Sequence, residues 1–306
     1  MRVAISIVGF KNSDDIVKCL SALDKCDYRD FQVIICENGG LEAYDQLIAS
    51  LPSSLEGGQD VRVIAAPSNL GYAGGVNVCL RETPDADAWW ILNPDTQPHP
   101  GALSALVARL SMGDCDAVGG TTHFEDGTVE AFGGRWRPWL ARAESIGNGA
   151  PVERPVSSGA IELKISYISG ASMLVGRGFV EAVGPMNESY FLYCEEVEWC
   201  LRGAQIGMRL GFAPGGLVLH HQGTTTGSGL DIRTRPRLPV FLDERNKLLV
   251  TRDCYPARLP IAAIAAMALL FLRFGRRRAW RQLGYGLEGW FAGLLGRRGR
   301  PSWLQA

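Results

Sequence analysis

The segment Asn93-Pro94-Asp95 follows directly on an apolar run over 88–92 that is typical of a buried β-strand. A carboxylate just beyond the end of such a strand can hold a hard divalent cation that also binds phosphate. Two adjacent histidines, His220 and His221, end a second apolar run, and neutral imidazole is a common metal ligand. Each pattern also has a structural explanation, because Asn, Pro and Asp favour turns and paired histidines often have no function.

Three carboxylates, Glu195, Glu196 and Glu198, lie in the first turn of a helix that we predict over 195–206. Acidic side chains at a helix N-terminus interact favourably with the helix dipole, which is a sufficient structural explanation. The residues just before them, 189–193, are mostly aromatic or apolar. A carboxylate at such a boundary can instead have a raised pKa and act as a general base.

Two more segments could contact a nucleotide. The glycine-rich sequence from Asn69 to Asn77 separates a predicted strand from a predicted helix, where backbone amides can approach an anionic ligand. Close packing would explain the same glycines. Glu37 and Asn38 end another apolar strand and offer hydrogen-bond acceptors to a base or a ribose.

The elements that would position these groups alternate along the chain. Apolar strands separated by helical segments predict an α/β fold, with a mostly parallel sheet covered by helices. Because parallel strands end at one edge, four of these five groups would meet along one rim. The predicted strands cover 2–9, 31–36, 61–66, 88–92, 116–119, 163–175 and 208–221, with a hairpin over 121–137; the helices cover 14–24, 41–51, 71–82, 177–183 and 195–206, with another after Gly101.

Composition excludes one class of partner. The 306 residues include 31 Lys and Arg against 32 Asp and Glu. A nucleic-acid-binding protein is usually more basic, so we predict no nucleic-acid partner. The eight cysteines are scattered without a CxxC pair, which favours buried free thiols in a reducing compartment.

The C-terminal part begins with a polar segment rich in glycine and threonine, 222–236, which we interpret as a lid or a strap. Residues 237–306 are predicted to be helical. The apolar run 261–272 has twelve residues, fewer than the roughly 20 that span a bilayer. Arginines and tryptophans over 273–303, with Glu288 as the only acidic residue, favour a helix at the membrane surface. The alternative is a helical hairpin packed on the preceding domain or on a partner subunit.

In this order, the motifs resemble family 2 glycosyltransferases of the rhamnosyltransferase-like group, which build bacterial surface polysaccharides. The resemblance runs from Val3 to about Gly227, with a weaker echo at Glu244-Arg245-Asn246. It implies a GT-A catalytic domain over 1–236, with a donor-binding half over about 1–120 and an acceptor half over about 121–236. Residues 237–306 would form a helical appendage.

The resemblance also implies a role for each motif. Asp95 corresponds to the last aspartate of the family's metal motif, whose first aspartate is replaced by Asn93. His220 would complete a Mn²⁺ or Mg²⁺ site, with His221 as the alternative ligand. Glu196 corresponds to the general base, with Glu195 beside it. The expected donor-binding residues are Asn12, Glu37, Asn38, Asn69, Gly71, Gly75, Asn77, Asn93, Asp95 and Arg202, with Glu37 standing where the family usually has aspartate.

The expected reaction is an inverting transfer of a sugar from dTDP-rhamnose or a UDP-hexose. The acceptor would be a saccharide or a polyprenyl-diphosphate-linked saccharide. We expect a cytoplasmic protein, peripheral at the inner face of the cytoplasmic membrane, and the sequence leaves a homo-oligomer open.

Two other functions share some of these features. A nucleotidyltransferase would normally carry a basic glycine-rich loop near its first strand, whereas the loop over 9–15 has one lysine and two acidic residues. A non-catalytic subunit docked at the membrane would not need Asp95, Glu196 and His220 together.

Overall fold

The computed structural model describes residues 1–221 and 226–304. Nine strands form one sheet, and two more form a separate hairpin. Of the predicted strap over 222–236, residues 222–225 lie outside the described residues. The strands are β1 (Val3–Gly9), β2 (Phe31–Glu37), β3 (Val61–Ala65), β4 (Ala88–Leu92), β5 (Thr96–Pro98), β6 (Ala117–His123), β7 (Val129–Ala131), β8 (Gly134–Arg137), β9 (Arg142–Ser145), β10 (Ser172–Gly176) and β11 (Leu210–His220).

Helices cover the sheet and form the C-terminal part. They are α1 (Ser13–Leu23), α2 (Leu41–Ser50), α3 (Gly71–Glu82), α4 (Ala102–Leu110), α5 (Ser158–Glu162), α6 (Arg177–Val183), α7 (Glu195–Gln205), α8 (Arg237–Cys254), α9 (Leu259–Leu270) and α10 (Trp280–Leu294). Short 3₁₀ turns occur at Glu188–Tyr190 and Pro256–Arg258, and a π-helical turn, Phe271–Gly275, follows α9.

The sheet is mixed, and six of its strands run the same way. Its order is β3-β2-β1-β4-β10-β6-β11-β5, with β7 beside β6. Strands β1 to β4 pair in parallel, and β10 pairs antiparallel with both β4 and β6. Since β11 is parallel to β6, strands β1, β2, β3, β4, β6 and β11 all end at one edge of the sheet.

The central strands are apolar on both faces because helices cover both. In β4, Trp89 and Ile91 join the hydrophobic cluster on one face, whereas Trp90 and Leu92 join the cluster on the other. The first cluster also contains Leu248 of α8, Ala263 of α9 and Trp290 of α10. The C-terminal helices thus share a hydrophobic core with the sheet.

The predicted elements differ from the structure mainly in the region between β6 and β10. The predicted hairpin forms only between β6 and β7, because residues 134–137 pair with 142–145 instead. Of the strand predicted over 163–175, only the part from Ser172 is a strand, and α5 and β5 were not predicted. A five-residue helix and a three-residue strand are too short to show a periodic pattern.

The structure shows where the cysteines and the longest apolar segment lie. All eight cysteines are free and buried, as the sequence predicted. The helical run Pro256–Gly275 comprises 20 residues, so by length and composition alone it is long enough to cross a membrane. The sequence analysis considered only the uninterrupted apolar residues 261–272, whereas this helical run also includes the flanking turns.

Candidate active site

The edge at which the parallel strands end brings the predicted metal ligands together. Asp95 follows β4, and His220 is the last residue of β11. The antiparallel pairing of β11 with β5 sets His220 opposite Thr96, and the His221 N–H donates to the Asp95 carbonyl oxygen at 3.0 Å. Residues far apart in sequence therefore become neighbours through strand pairing.

The His220 ring lies between two carboxylates. Its Nε2 is 3.4 Å from Asp95 Oδ1, and its Nδ1 is 2.8 Å from Glu130 Oε2. Burial would lower the His220 pKa, but hydrogen bonds to Asp95 and Glu130 outweigh burial and raise the pKa to about 9. Glu130 lies on β7 and belongs to no sequence motif, so its place beside His220 was not predicted.

Asp95 and His220 fit two ligands of a divalent cation. Ligand atoms about 2.1 Å from an octahedral ion are about 3.0 Å apart at adjacent positions, and the observed 3.4 Å is close to that spacing. Metal-bound histidines usually donate their second ring N–H to a carboxylate, which is the position of Glu130. Among residues 1–221 and 226–304, no group of three or more His, Cys, Asp and Glu side chains is placed to hold a metal ion.

The other histidines face elsewhere. His221 contacts the Gln97 amide through Nε2 at 2.9 Å and Glu125 Oε1 through Nδ1 at 3.2 Å. His99 and His123 contact each other through their Nε2 atoms at 3.0 Å. The geometry therefore favours His220 over His221 as the partner of Asp95.

Glu195 and Glu196 begin α7 and lie in different surroundings. Glu196 is partly exposed, and its Cγ lies 3.5 Å from the position that a Cβ on Gly170 would occupy. Burial raises the pKa of Glu196 to about 7. Glu195 is 3% exposed, and its Oε2 has no hydrogen-bond partner among the residues that the structure describes. Burial, together with the charge of Glu196, raises the Glu195 pKa well above its usual range.

Tyr72 connects the acidic helix with the metal ligands. Its hydroxyl donates to the Gly170 carbonyl oxygen at 2.8 Å. Burial raises the pKa of Tyr72, and the charges of Glu195, Glu196 and Asp95 raise it further. Glu196 lies beside the same Gly170, and the next residue, Ala171, accepts a hydrogen bond from the Asn93 N–H in the turn that carries Asp95.

Helix α8 fixes the backbone that leads into Glu195. Phe191, Tyr193 and Cys194 have φ values of 68°, 73° and 67°, which non-glycine residues rarely adopt. Asn246 Nδ2 lies 2.7–3.1 Å from the carbonyl oxygens of residues 190, 192 and 193. Arg245 is 2% exposed and donates from Nη2 to the Tyr190 carbonyl oxygen. Two residues of the weakly matching segment 244–246 therefore support this strained loop.

The glycine-rich loop packs tightly against the same backbone. Gly71 has a φ of 73°, and a Cβ there would lie 2.1 Å from the Phe191 carbonyl oxygen, so only glycine fits. Asn38 Nδ2 donates to the Gly71 carbonyl oxygen at 2.9 Å, and the Gly71 N–H donates to Asn69 Oδ1 at 3.0 Å. A Cβ on Gly75 would lie 2.6 Å from a Val8 methyl carbon. Close packing accounts for these two glycines.

Two predicted donor contacts lie at the end of the first two strands. Glu37 is 1% exposed, and its Oε1 accepts from the N–H groups of Lys11 and Gly39 at 3.1 and 2.7 Å. Asn12 precedes α1, and its Oδ1 accepts from the Phe10 N–H at 2.9 Å. Both side chains hold the loops at this rim. Asn93, just after β4, does so through its backbone, because its N–H donates to the Ala171 carbonyl oxygen at 3.1 Å.

Asn77 and Arg202 bond other parts of the protein, and their assignment to donor binding stays a prediction. Asn77 is 2% exposed, and its amide bonds the Met186 backbone and Glu188 Oε1 at 2.9–3.0 Å. Arg202, in the last turn of α7, pairs with Glu198 at 2.8 Å and donates to the Pro185 carbonyl oxygen. The protein itself satisfies both side chains away from the rim.

Comparison with known proteins agrees with this geometry. The family described as Glycosyl transferase family 2 matches residues 5–175. A Mycobacterium tuberculosis N-acetylglucosaminyl-diphospho-decaprenol L-rhamnosyltransferase is 27% identical over 251 aligned positions, covering 72% of this chain and 76% of the relative. The low-salt glycan biosynthesis hexosyltransferase Agl10 of Haloferax volcanii is 20% identical, covering 98% and 93%.

Solved structures share the architecture. The mannosyltransferase PcManGT of Pyrobaculum calidifontis, in complex with GDP-Man and Mn²⁺, superposes with a TM-score of 0.58 at 15% identity, covering 97% of this chain and 88% of the other. S. aureus TarS 1–349 with UDP-GlcNAc gives a TM-score of 0.54 at 11% identity, covering 87% and 71%. At these identities the likeness shows the GT-A fold.

The fold and the rim of polar residues define a nucleotide-sugar-dependent transferase of the GT-A type. The chain belongs to glycosyltransferase family 2. It is a glycosyltransferase of glycan biosynthesis, similar to rhamnosyltransferases.

Proposed function

We propose that the protein is an inverting, metal-dependent transferase that moves a sugar from a nucleoside diphosphate to a saccharide carried on a polyprenyl diphosphate. The observation that carries this proposal is the loop at 170–171. Glu196 packs beside Gly170, and the Ala171 carbonyl oxygen accepts from the Asn93 N–H, two residues before Asp95. A metal ligand and a general base could therefore act in the same reaction.

Asp95 and His220 would hold the divalent cation, Mn²⁺ or Mg²⁺, together with oxygens of the donor diphosphate. When bound, the cation neutralises the charge that develops on the leaving nucleoside diphosphate. Glu130 would keep the His220 ring in the orientation that presents Nε2 to the cation. The rim formed by Asn12, Glu37, Asn38, Asn69 and Asn93 would contact the nucleoside.

Glu196 would take the proton from the acceptor hydroxyl as that oxygen attacks the anomeric carbon. With its pKa near 7, the side chain is a stronger base than an ordinary carboxylate and is still ionised in part at neutral pH. Attack by the acceptor opposite the leaving diphosphate inverts the configuration at the anomeric carbon. Burial raises the pKa of Glu195 well above its usual range, which favours Glu196 as the carboxylate that accepts the proton.

The relatives support the choice of substrates. The mycobacterial relative is a rhamnosyltransferase for an N-acetylglucosaminyl-diphospho-decaprenol, and the haloarchaeal relative is a hexosyltransferase. We propose dTDP-rhamnose or a UDP-hexose as the donor. A lipid-linked acceptor implies work at the membrane, so we also propose a cytoplasmic protein bound peripherally at the inner face of the membrane.

The apolar surface of α9 and its neighbours supports membrane association. Outward-facing Ile261, Ile264, Phe271, Leu272 and Trp280 are between 48% and 73% exposed. We call these five residues the apolar face. Such a patch on a soluble surface is typical of an interaction site, and neighbouring arginines would suit anionic headgroups.

A donor screen tests the proposed reaction. The purified protein is mixed with nucleoside-diphosphate sugars, with and without Mn²⁺ or Mg²⁺, and thermal stabilisation and slow donor hydrolysis are recorded. A ligand that binds only the folded state raises the apparent stability by mass action. We expect one donor to give a metal-dependent shift that is lost in Asp95→Asn. A well-folded sample with no shift from any donor would contradict the proposal.

A further inference from the structure

A cavity of about 630 Å³ lies where residues 230–235 meet the turn that follows α9. Four arginines and a single carboxylate contribute to its lining, so it carries a net positive charge. A second cavity, of about 460 Å³, shares two of those arginines. The charged residues of the first cavity are Arg233, Arg235, Arg276, Arg277 and Asp231.

The protein does not neutralise these arginines. Within residues 1–221 and 226–304, none of the four guanidinium groups pairs with a carboxylate, whereas nearby Arg237 and Arg273 do. Arg235 Nε is buried and has no hydrogen-bond partner. Asp231 Oδ1 accepts from the Arg233 backbone N–H at 2.9 Å, so this carboxylate serves the local turn. Desolvation and the charge of Arg273 lower the Arg235 pKa, as expected where positive charges are crowded.

The cavity is preorganised. Gln282 Nε2 donates to the carbonyl oxygens of Arg233 and Arg235 at 2.6 and 3.2 Å. Ile232 packs against a hydrophobic cluster that contains Leu270 and Phe274. These contacts fix the segment over the helices before any ligand arrives, which reduces the entropy cost of binding an anion.

The cavity adjoins the apolar face in sequence and is within electrostatic reach of residues near the base. Phe271 and Leu272 of the apolar face come just before Arg276 in sequence, and Trp280 comes just after Arg277. On the other side, the Arg235 guanidinium is within electrostatic reach of Asp243 and Tyr193. Tyr193 is two residues from Glu195 and is itself influenced by the Glu195 charge.

We propose that this arginine cavity binds the diphosphate of a prenyl-linked acceptor, with the prenyl chain lying along the apolar face; this inference rests on the proposed function. Guanidinium groups bind phosphate oxygens through paired N–H donors, and four of them more than offset the two negative charges of a diphosphate that is esterified at both ends. The donor diphosphate would then be neutralised by the cation at Asp95 and His220, and the acceptor diphosphate by arginines. Separate means of neutralisation keep the two diphosphates in separate sites.

The test measures binding of farnesyl diphosphate to the full chain by calorimetry without donor, in parallel with metal-dependent donor hydrolysis. Farnesyl phosphate, farnesol and inorganic pyrophosphate distinguish the parts of the ligand. The variant is the double substitution Arg276→Ala and Arg277→Ala. The matched control is Arg278→Ala, which removes the next charge in sequence from outside the cavity lining.

We expect farnesyl diphosphate to bind more tightly than any of the three partial ligands. The double variant should lose at least about tenfold in affinity, since hydrogen bonds to charged groups are worth that much or more. Arg278→Ala should change little, and donor hydrolysis should persist in all variants.

Three results would overturn the inference. Equal affinity for inorganic pyrophosphate and farnesyl diphosphate would indicate a site for a free anion. Equal losses in Arg278→Ala and in the double variant would indicate general surface charge. Donor hydrolysis without any binding of farnesyl diphosphate would reject the cavity alone, whereas binding without hydrolysis of any donor would reject the proposed function and leave the cavity in place.

Discussion

Glu195 and Glu196 show how neighbouring carboxylates can be given different chemistry. Glu195 is 3% exposed with a buried oxygen that has no partner, whereas Glu196 is partly exposed beside Gly170. Two carboxylates with pKa values pushed apart by their surroundings often mark an acid–base site. The orphaned oxygen of Glu195 is costly to bury, and such a cost is typical of a functional position.

The first prediction concerns the base. Glu196→Gln should lower kcat for transfer by about 10²–10⁴-fold, because the amide cannot accept the acceptor proton. Donor affinity, measured by thermal shift with metal, should stay within about twofold. Glu181→Gln, on the exposed surface of α6, is the control. A Glu196→Gln enzyme with half of the original kcat would exclude Glu196 as the base.

The pH profile gives a second prediction. Because burial raises the Glu196 pKa to about 7, the base is increasingly protonated as pH falls below that value. The kcat/KM for the acceptor should therefore fall as pH decreases, by up to about tenfold per unit on the acidic limb. Initial rates from pH 5 to 9 at saturating donor and metal measure this. A profile that is flat down to pH 5 would contradict a base in this environment.

The third prediction concerns Glu130. Glu130→Ala should weaken Mn²⁺ binding, in the presence of nucleoside diphosphate, by about 10–100-fold, because His220 loses the partner that orients it. Glu130→Gln keeps an acceptor for the ring N–H and should restore part of the affinity. Electron paramagnetic resonance of free Mn²⁺ measures both. Glu125→Ala removes the carboxylate beside His221 and is the control; an equal loss in that variant would count against the assignment.

Helix α8 acts on the site from a distance, through the loop that it supports. The fourth prediction is that Asn246→Ala lowers both stability and kcat, because the carbonyl oxygens of residues 192 and 193 lose the Asn246 donor and that of Tyr190 keeps only Arg245 as a side-chain donor. The expected loss in free energy of unfolding is about 1–3 kcal/mol. Denaturant unfolding and initial rates measure it, with Gln46→Ala on the exposed face of α2 as control. A normal kcat in a destabilised Asn246→Ala would show that the loop does not position the base.

The sequence predicted elements well where a pattern repeats over enough residues. Strand β4 and helix α6 were predicted with the bounds that the structure has, because one is a continuous apolar run and the other is closed by Gly184. Strand β5 and helix α5 are too short to produce a period. The prediction of a strand through 169–171 was wrong, because that stretch is a loop that packs against Glu196.

The sequence indicated part of the candidate site. Strand ends predicted that Asp95 and His220 share one rim, and the structure has them 3.4 Å apart; the roles of both, and of Glu196 as the base, stay predictions. Glu130 could not be found, because its position depends on the pairing of β7 with β6, which no local pattern specifies. The backbone contact of Asn77 was equally hidden, because a polar residue within a glycine-rich motif looks the same whether it bonds a ligand or the Met186 backbone.

The whole molecule combines a sheet that carries the site with helices that carry the apolar face. Both share one hydrophobic cluster, in which Trp290 Nε1 donates to the Ala263 carbonyl oxygen at 2.9 Å. The helices are thus a rigid extension of the catalytic part. A membrane bound by the apolar face would hold the active site at a fixed height above the lipid surface.

The fifth prediction tests that face. The paired change Ile264→Glu and Leu272→Glu should reduce sedimentation with vesicles that contain anionic lipid by about tenfold or more, since each exposed side chain would otherwise gain about 1.5–3 kcal/mol on burial. Leu163→Glu changes an equally apolar side chain, 91% exposed, in the segment between β9 and β10 and serves as control. Equal vesicle binding by all three proteins would reject the apolar face as the membrane contact.

The eight buried thiols have a practical consequence for site-specific labelling of the protein. Burial raises the pKa of Cys36 to about 11 and that of Cys19 to about 12, so neither forms an appreciable amount of thiolate near neutral pH. A maleimide needs the thiolate and access to it, and the natural cysteines offer neither. A cysteine introduced on the surface would therefore take up a fluorophore or a spin label alone, with no need to remove the others first.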